Sequence, residues 1–229
     1  MDAVSFGVPL SLAALTAILA GLSARGLLRS FRTRSRAQLM WGVGLGLASL
    51  ATAVELVVYA GFVNGPLLQT YVFLSAAIVG FLSLGSTRVL RSTRFEHGYT
   101  AYILATCGVA AVLGFTTPMP SSMVSAGVIS GNPPTLLIIV SCLVTIPATF
   151  VLLGAVVVAL RRNWNWHTLM MGIGACVLAG GGALYIASFP VALYYSEFIG
   201  IVLIFFGLVS LPQVVASPSV ARHRLQGTA

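Results

Sequence analysis

Seven apolar runs dominate the sequence, each about long enough to cross a hydrocarbon core of roughly 30 Å as a helix rising 1.5 Å per residue. They fall at about 5–24, 38–61, 67–88, 99–117, 134–160, 168–188 and 191–214, with ends uncertain by about four residues. Backbone groups inside a bilayer have no water to bond, so a spanning segment closes its hydrogen bonds as a helix or as part of a barrel. A barrel is built from alternating segments of about ten residues, whereas these runs are continuous in Leu, Val, Ile, Ala and Gly. The expected fold is an all-α integral membrane protein, a multi-pass bundle of seven transmembrane helices in the cell membrane.

The breaks between runs carry the charge. Only 7% of the 229 residues are charged, and the net charge of +8 comes from arginine, since the chain has no lysine. Arg25, Arg29, Arg32, Arg34 and Arg36 fill the first break, Arg88, Arg91 and Arg94 the third, Arg161 and Arg162 the fifth, and Arg222 and Arg224 the C-terminal segment. The alternate breaks are uncharged: Asn64 to Pro66, Thr116 to Pro134, and Phe189 with Pro190. The positive-inside rule then puts the N-terminus outside and the C-terminus inside, with residues 216–229 as a cytoplasmic tail. Trp41, Tyr99, Tyr102, Trp164 and Trp166 near the inner boundary, and Tyr71, Tyr194 and Tyr195 near the outer, agree as interfacial belts. No basic stretch precedes the first run, and Asp2 stands there instead, so that run reads as an anchor rather than a cleaved signal.

Arginines spread over separate loops do not form a nucleic-acid patch. They set topology, and the five of the first loop are also placed to contact anionic lipid headgroups at the inner face or an acidic partner. Without lysine there is no retinal Schiff base and no pyridoxal-phosphate aldimine.

Two stretches of the chain resemble two others. Leu39, Met40, Gly42, Val43 and Gly44 match Leu169, Met170, Gly172, Ile173 and Gly174, and Gly80 to Leu84 match Gly207 to Leu211 at a nearly equal offset. Either a three-helix unit is used twice in parallel, joined by the fourth helix as a 3+1+3 repeat, or common residues coincide. Pro147 inside the fifth run predicts a kink or tilt. Gly180, Gly181 and Gly182 in the sixth serve close packing or a hinge.

Candidate chemistry centres on Glu55, inside the second run, where an ionised carboxylate costs a few kcal/mol unless paired or hydrated. Glu197 lies at similar depth in the seventh, roughly 9 Å below the outer boundary. If they touch, the two carboxyls share a proton in a site open to the outside. Tyr59, Gln69, Tyr71, Tyr185, Ser188, Tyr194 and Ser196 stand near that level and would line a vestibule. The plainer alternative is that each carboxyl is neutral, bonded to a tyrosine or the backbone, and fixes packing.

Other chemistry lacks its parts. Cys107, Cys142 and Cys176 are isolated near mid-span, without ligand spacing, so neither a disulfide nor a metal site is expected. His97, His167 and His223 fall in inner loops or the tail, so no pair brackets a haem. No His-Glu-x-x-His or intramembrane Ser/His set occurs. The reading placed first is a non-catalytic, cofactor-free bundle, a sensor or receptor-like protein or the membrane subunit of a larger complex, with a membrane-protein partner or a second copy. The alternative is a small proton-coupled solute carrier using Glu55 and Glu197. A lipid-directed enzyme using the two as acid and base comes third.

Overall fold

The computed structural model describes residues 3–28, 36–90, 92–125, 128–129, 133–162, 166–186 and 190–209; within these it leaves undescribed the side chains of 3–10, 12, 26–28, 88–89, 121, 125, 128, 179, 181–186, 190–194 and 208–209. Arg29, Arg32, Arg34, Ser188 and the tail fall outside the described residues, as do the side chains of Tyr185 and Tyr194.

Seven α-helices carry the fold: α1 Ala3–Leu28, α2 Arg36–Tyr59, α3 Gly65–Ser86, α4 Thr93–Thr116, α5 Thr135–Arg162, α6 Trp166–Ile186 and α7 Pro190–Val209. Among the described residues, α2, α3, α4 and α5 are each long and apolar enough to cross a membrane, and α1, α6 and α7 contribute the apolar segments Ala13–Arg25, Trp166–Leu178 and Tyr195–Gly207. The chain is a polytopic helical membrane protein. Large apolar side chains on its outer surface, such as Phe150 at 70% exposure and Val112 at 64%, suit lipid contact rather than water.

Several helices outrun the apolar stretches that announce them. Helix α4 starts six residues before the run at 99, because Ser92 caps it by accepting a hydrogen bond from the Phe95 N–H and Glu96 sits favourably in its first turn. Arg36, Arg94, Arg161 and Arg162 therefore stand on helix ends rather than in loops. Asn64 caps α3 in the same way, accepting from the Leu67 N–H at 2.8 Å, with Pro66 in the first turn. The tight turn before it uses Gly61 at φ 93°, a conformation that favours glycine.

Helix packing closes a ring. α1 lies against α2 and α7, α7 against α6, α6 against α5, α5 against α3, and α3 against α2. α4 stands outside this ring on α3 and α5, joined to them through Leu84, Tyr99, Ile103, Cys107 and Val144. The core of the ring draws on all six of its helices: Ala20, Leu45, Ala48, Leu82, Leu152, Ala175, Ile201 and Ile204. Small residues let the helices close up. A Cβ on Gly174 would stand 2.6 Å from the Gly200 carbonyl oxygen, so α6 and α7 are in near backbone contact.

The α2–α3 and α6–α7 contacts are alike in detail. Gly44 of α2 faces Leu82 of α3, as Gly174 of α6 faces Ile204 of α7; Gly85 faces Trp41 and the Ala37 carbonyl, as Gly207 faces Met171 and the His167 carbonyl. The α2/α6 match found in the sequence has this packing, but the α3/α7 match does not. Gly80 packs instead on Ile103 and Val144 at the α4 and α5 side, and Gly85 takes the place that the sequence match assigned to Gly80.

Helix α5 passes through Pro147 without a break. Proline cannot donate to the carbonyl one turn back, that of Leu143. The Tyr102 hydroxyl of α4 donates to that carbonyl at 2.7 Å, so the freed acceptor has an interhelical partner. Tyr102 thus bonds a neighbouring helix, and Tyr99 is buried with its hydroxyl 2.7 Å from Ser83 Oγ.

The uncharged stretch before α5, expected as a plain loop, has structure of its own. A 3-10 turn, Ser121–Met123, leads into a small antiparallel hairpin, β1 Val124–Ser125 and β2 Val128–Ile129, with Val124 opposite Ile129. Met123 and Ile129, exposed by 0% and 2%, bury themselves against α2 and α3 with Val54, Val58, Leu68, Tyr71 and Leu74.

Candidate functional site

Glu55 lies on the face of α2 that also carries Ala48, Ala51, Thr52, Val58 and Tyr59, all buried. Helical spacing puts these residues one above another along the ring interior. Glu55 is the one charged residue type on that face and is only 2% exposed. Its carboxyl accepts a hydrogen bond from the side chain of Tyr71 on α3. Its Oε2 is buried and has no hydrogen-bond partner among the described residues.

Glu197 comes from α7, which does not lie beside α2 in the ring, yet its carboxyl is close enough to Glu55 for the two charges to act on each other. Glu197 as a whole is half-buried, and its Oε2 is buried and likewise without a hydrogen-bond partner among the described residues. Two consecutive helices, α2 and α3, supply Glu55 and its phenol partner, and α7, distant in sequence, supplies the second carboxyl. Glu55 and Glu197 are thus close enough for their charges to interact.

The pair sits between two apolar layers. Toward the arginine-bearing end lie Ala48 and Leu45 of α2, Leu82 of α3, and Ile201 and Ile204 of α7, within the ring core. Toward the other end lie Val58 of α2 and Leu68 of α3, with Met123 and Ile129 of the hairpin segment packed over them. An open vestibule was expected above Glu55; the hairpin roofs that region instead. Gln69, expected in the vestibule wall, holds this segment down, its Nε2 donating to the Thr117 carbonyl at 2.9 Å and the Phe115 carbonyl at 3.4 Å.

Of the remaining expected site residues, Tyr59 is buried one turn above Glu55 and Ser196 is buried beside Glu197 in sequence. The backbone of Tyr185 is in α6 and that of Tyr194 in α7, but their side chains lie outside the described residues. Arg25 and Arg36, expected at the lipid surface, are exposed at facing ends of α1 and α2. Cys107, Cys142 and Cys176 are free thiols on three different helices.

The chain matches no family model, no curated protein and no solved structure. Two carboxyls in a low-dielectric interior repel each other when both are ionised, and the arginines stand on other parts of the chain. A proton held between them, or another cation, relieves that repulsion. Tyrosine donation to Glu55 fixes the orientation of that carboxyl, and the buried Oε2 of each acid has no partner among the described residues.

Proposed function

We propose that the protein is a small seven-span carrier of the cell membrane in which Glu55 and Glu197 bind a coupling proton as one site. The observation that carries this reading is the convergence of the two carboxyls with Tyr71 in the bundle interior. An intramembrane ionisable pair is costly, and such residues mark ion and substrate pathways and proton relays. Apolar layers on both sides of the pair describe an occluded state, and alternating access requires such a state between its two open ones.

The reading takes the arginine-bearing end as cytoplasmic, with the N-terminus outside. It takes Arg25, Arg29, Arg32, Arg34 and Arg36 as contacts for anionic headgroups, at about 1 kcal/mol each. It takes α1 to α3 and α5 to α7 as parallel units joined by α4, supported by the matching contacts at Gly44 and Gly174 and by α4's place outside the ring. In this reading the roof formed by Met123 and Ile129 moves to open the site to the outside.

The test is acid-driven accumulation. Membrane vesicles carrying the wild type or Glu55→Gln, loaded with an inward proton gradient and bathed in a soluble cell extract, are collected and their contents identified by mass spectrometry. The wild type accumulates at least one solute that Glu55→Gln vesicles do not. Identical contents contradict the carrier.

The closure of the pair at both ends also favours a second reading, a sensor-like component that registers a proton and passes its state to a membrane partner. Native mass spectrometry of gently extracted protein separates the two. A stoichiometric partner protein supports the sensor or subunit, and recovery alone or as a homo-oligomer supports the carrier.

A further inference from the structure

The proton reading leaves open what replaces the proton when the site gives it up. Two oxygens matter here, Glu55 Oε2 and Glu197 Oε2, both buried and both without a hydrogen-bond partner among the described residues. A carboxylate oxygen in that position needs a cation or a donor, and burying it without either is costly. Protein cations are not at hand. The chain has no lysine, and all twelve arginines fall in the alternate basic breaks, on the helix ends beside them or in the C-terminal segment.

The other groups around the pair are neutral oxygens. Tyr71 on α3 bonds the Glu55 carboxyl, and Tyr59 lies one turn above it on α2. Thr52, buried one turn below on the same face, donates its hydroxyl proton to the Ala48 carbonyl at 3.0 Å, which leaves oxygen lone pairs unused. The titratable groups with described side chains at about this level are Tyr59 of α2, Tyr71 of α3, Cys142 of α5 and Tyr195 of α7; the side chains of Tyr185 and Tyr194 lie outside the described residues. The oxygens of Tyr71, Tyr59 and Thr52 are hard donors, which suit hard cations rather than soft metals. Among the described residues no group of three or more His, Cys, Asp and Glu side chains gathers to hold a metal ion, and the two carboxyls stand alone.

From these two buried carboxyl oxygens, neither with a hydrogen-bond partner among the described residues, we propose that the Glu55–Glu197 pair binds a small alkali cation, sodium or lithium, in exchange for its proton. This rests on the pair being the coupling site and names the second ion it takes. One cation enters as one proton leaves, so the charge at the site is conserved and the exchange adds no net charge to the membrane interior. Magnesium, which keeps several of its waters and demands octahedral geometry, does not suit two carboxyls closed between apolar layers.

The test uses the full chain in detergent and in liposomes. Thermal unfolding is followed in sodium, lithium or choline chloride at equal ionic strength. A cation that binds the folded state alone raises the melting temperature by a constant increment for each tenfold rise in its concentration above Kd. Sodium or lithium is expected to give that rise and choline none, and the rise is expected to be lost in Glu197→Gln and in Glu55→Gln. In liposomes with a trapped pH dye, an outwardly directed sodium gradient is expected to drive proton entry for the wild type alone. The wild-type comparison of sodium with choline needs no variant, so a misfolding substitution does not blunt the test. Identical melting in sodium, lithium and choline overturns the proposal. Infrared spectra separate this failure from that of the proton reading: a protonated-carboxyl band that vanishes in Glu55→Gln without any alkali effect removes the cation and keeps the proton, while loss of both removes the site.

Discussion

At the scale of single residues, Glu55 is legible from sequence because an acid within an apolar run of this length has few reasons to be there. Its partner was less so. Glu197 stood out by depth, but depth does not say which way a side chain faces, and only the closed ring brings α2 and α7 residues together. Tyr71 carries the hydrogen bond to Glu55, and Gln69, two positions earlier, turns aside to hold the hairpin segment. Nothing in a one-dimensional reading separates those two roles. Replacing Tyr71 by Phe removes the donor from a buried carboxyl, and the expected loss is about 1–3 kcal/mol of stability, measured by unfolding in detergent. Tyr102→Phe strips the partner from the Leu143 carbonyl that Pro147 leaves free. Its expected cost is smaller, about 0.6 kcal/mol, in line with interhelical hydrogen bonds in membranes, and it is read in the same assay.

At the scale of elements, the helices themselves follow from the apolar runs, and their ends do not. The Ser92 cap, with Glu96 in the following turn, carries α4 through residues too polar to be read as membrane-spanning, and Arg161 and Arg162 extend α5 likewise. The stretch from Thr116 to Pro134 was opaque for the opposite reason. Its Met123–Val124 and Val128–Ile129 are short apolar pairs among Ser, Pro and Gly, with no periodicity to show that Met123 and Ile129 bury against α2 and α3. Met123→Asp puts a charge into that contact, and the hairpin segment is expected to detach while the helices stay folded. Limited proteolysis checks this: cleavage between α4 and α5 becomes rapid in the variant. At the other end of the scale of size, Gly174→Leu forces side-chain atoms into the α6–α7 backbone contact. Overpacking of this kind costs about 1–3 kcal/mol, seen as a lower melting temperature.

At the scale of the whole molecule, the clustering of arginines on alternate breaks predicts one orientation across the membrane. Phe62, 70% exposed in the turn between α2 and α3, is on the side opposite the arginines. In intact cells, Phe62→Cys is expected to react with an impermeant maleimide, whereas Thr93→Cys at the start of α4 reacts only after permeabilisation; the reverse pattern inverts the topology. The ring order was not legible, because apolar surfaces of similar composition do not encode which helix neighbours which. The internal match hinted at it but in the wrong register for α3 and α7, since glycines recur too often for a sequence match to choose Gly85 over Gly80. In the packing register, Ser75 takes the place of Glu197 and Tyr185 that of Glu55. The α2–α3 and α6–α7 pairs are thus alike in their glycine contacts and unlike where the carboxyls stand.

The central claim is that Glu55 and Glu197 act as one site. Infrared difference spectroscopy of the reconstituted protein, recorded across a pH step for the wild type, Glu55→Gln, Glu197→Gln and the double variant, tests it most directly. If the pair shares its proton, each single substitution abolishes or displaces the whole wild-type carboxyl band, and the double variant adds little further change. Two independent bands, each removed by its own substitution with the other left in place, would contradict the account.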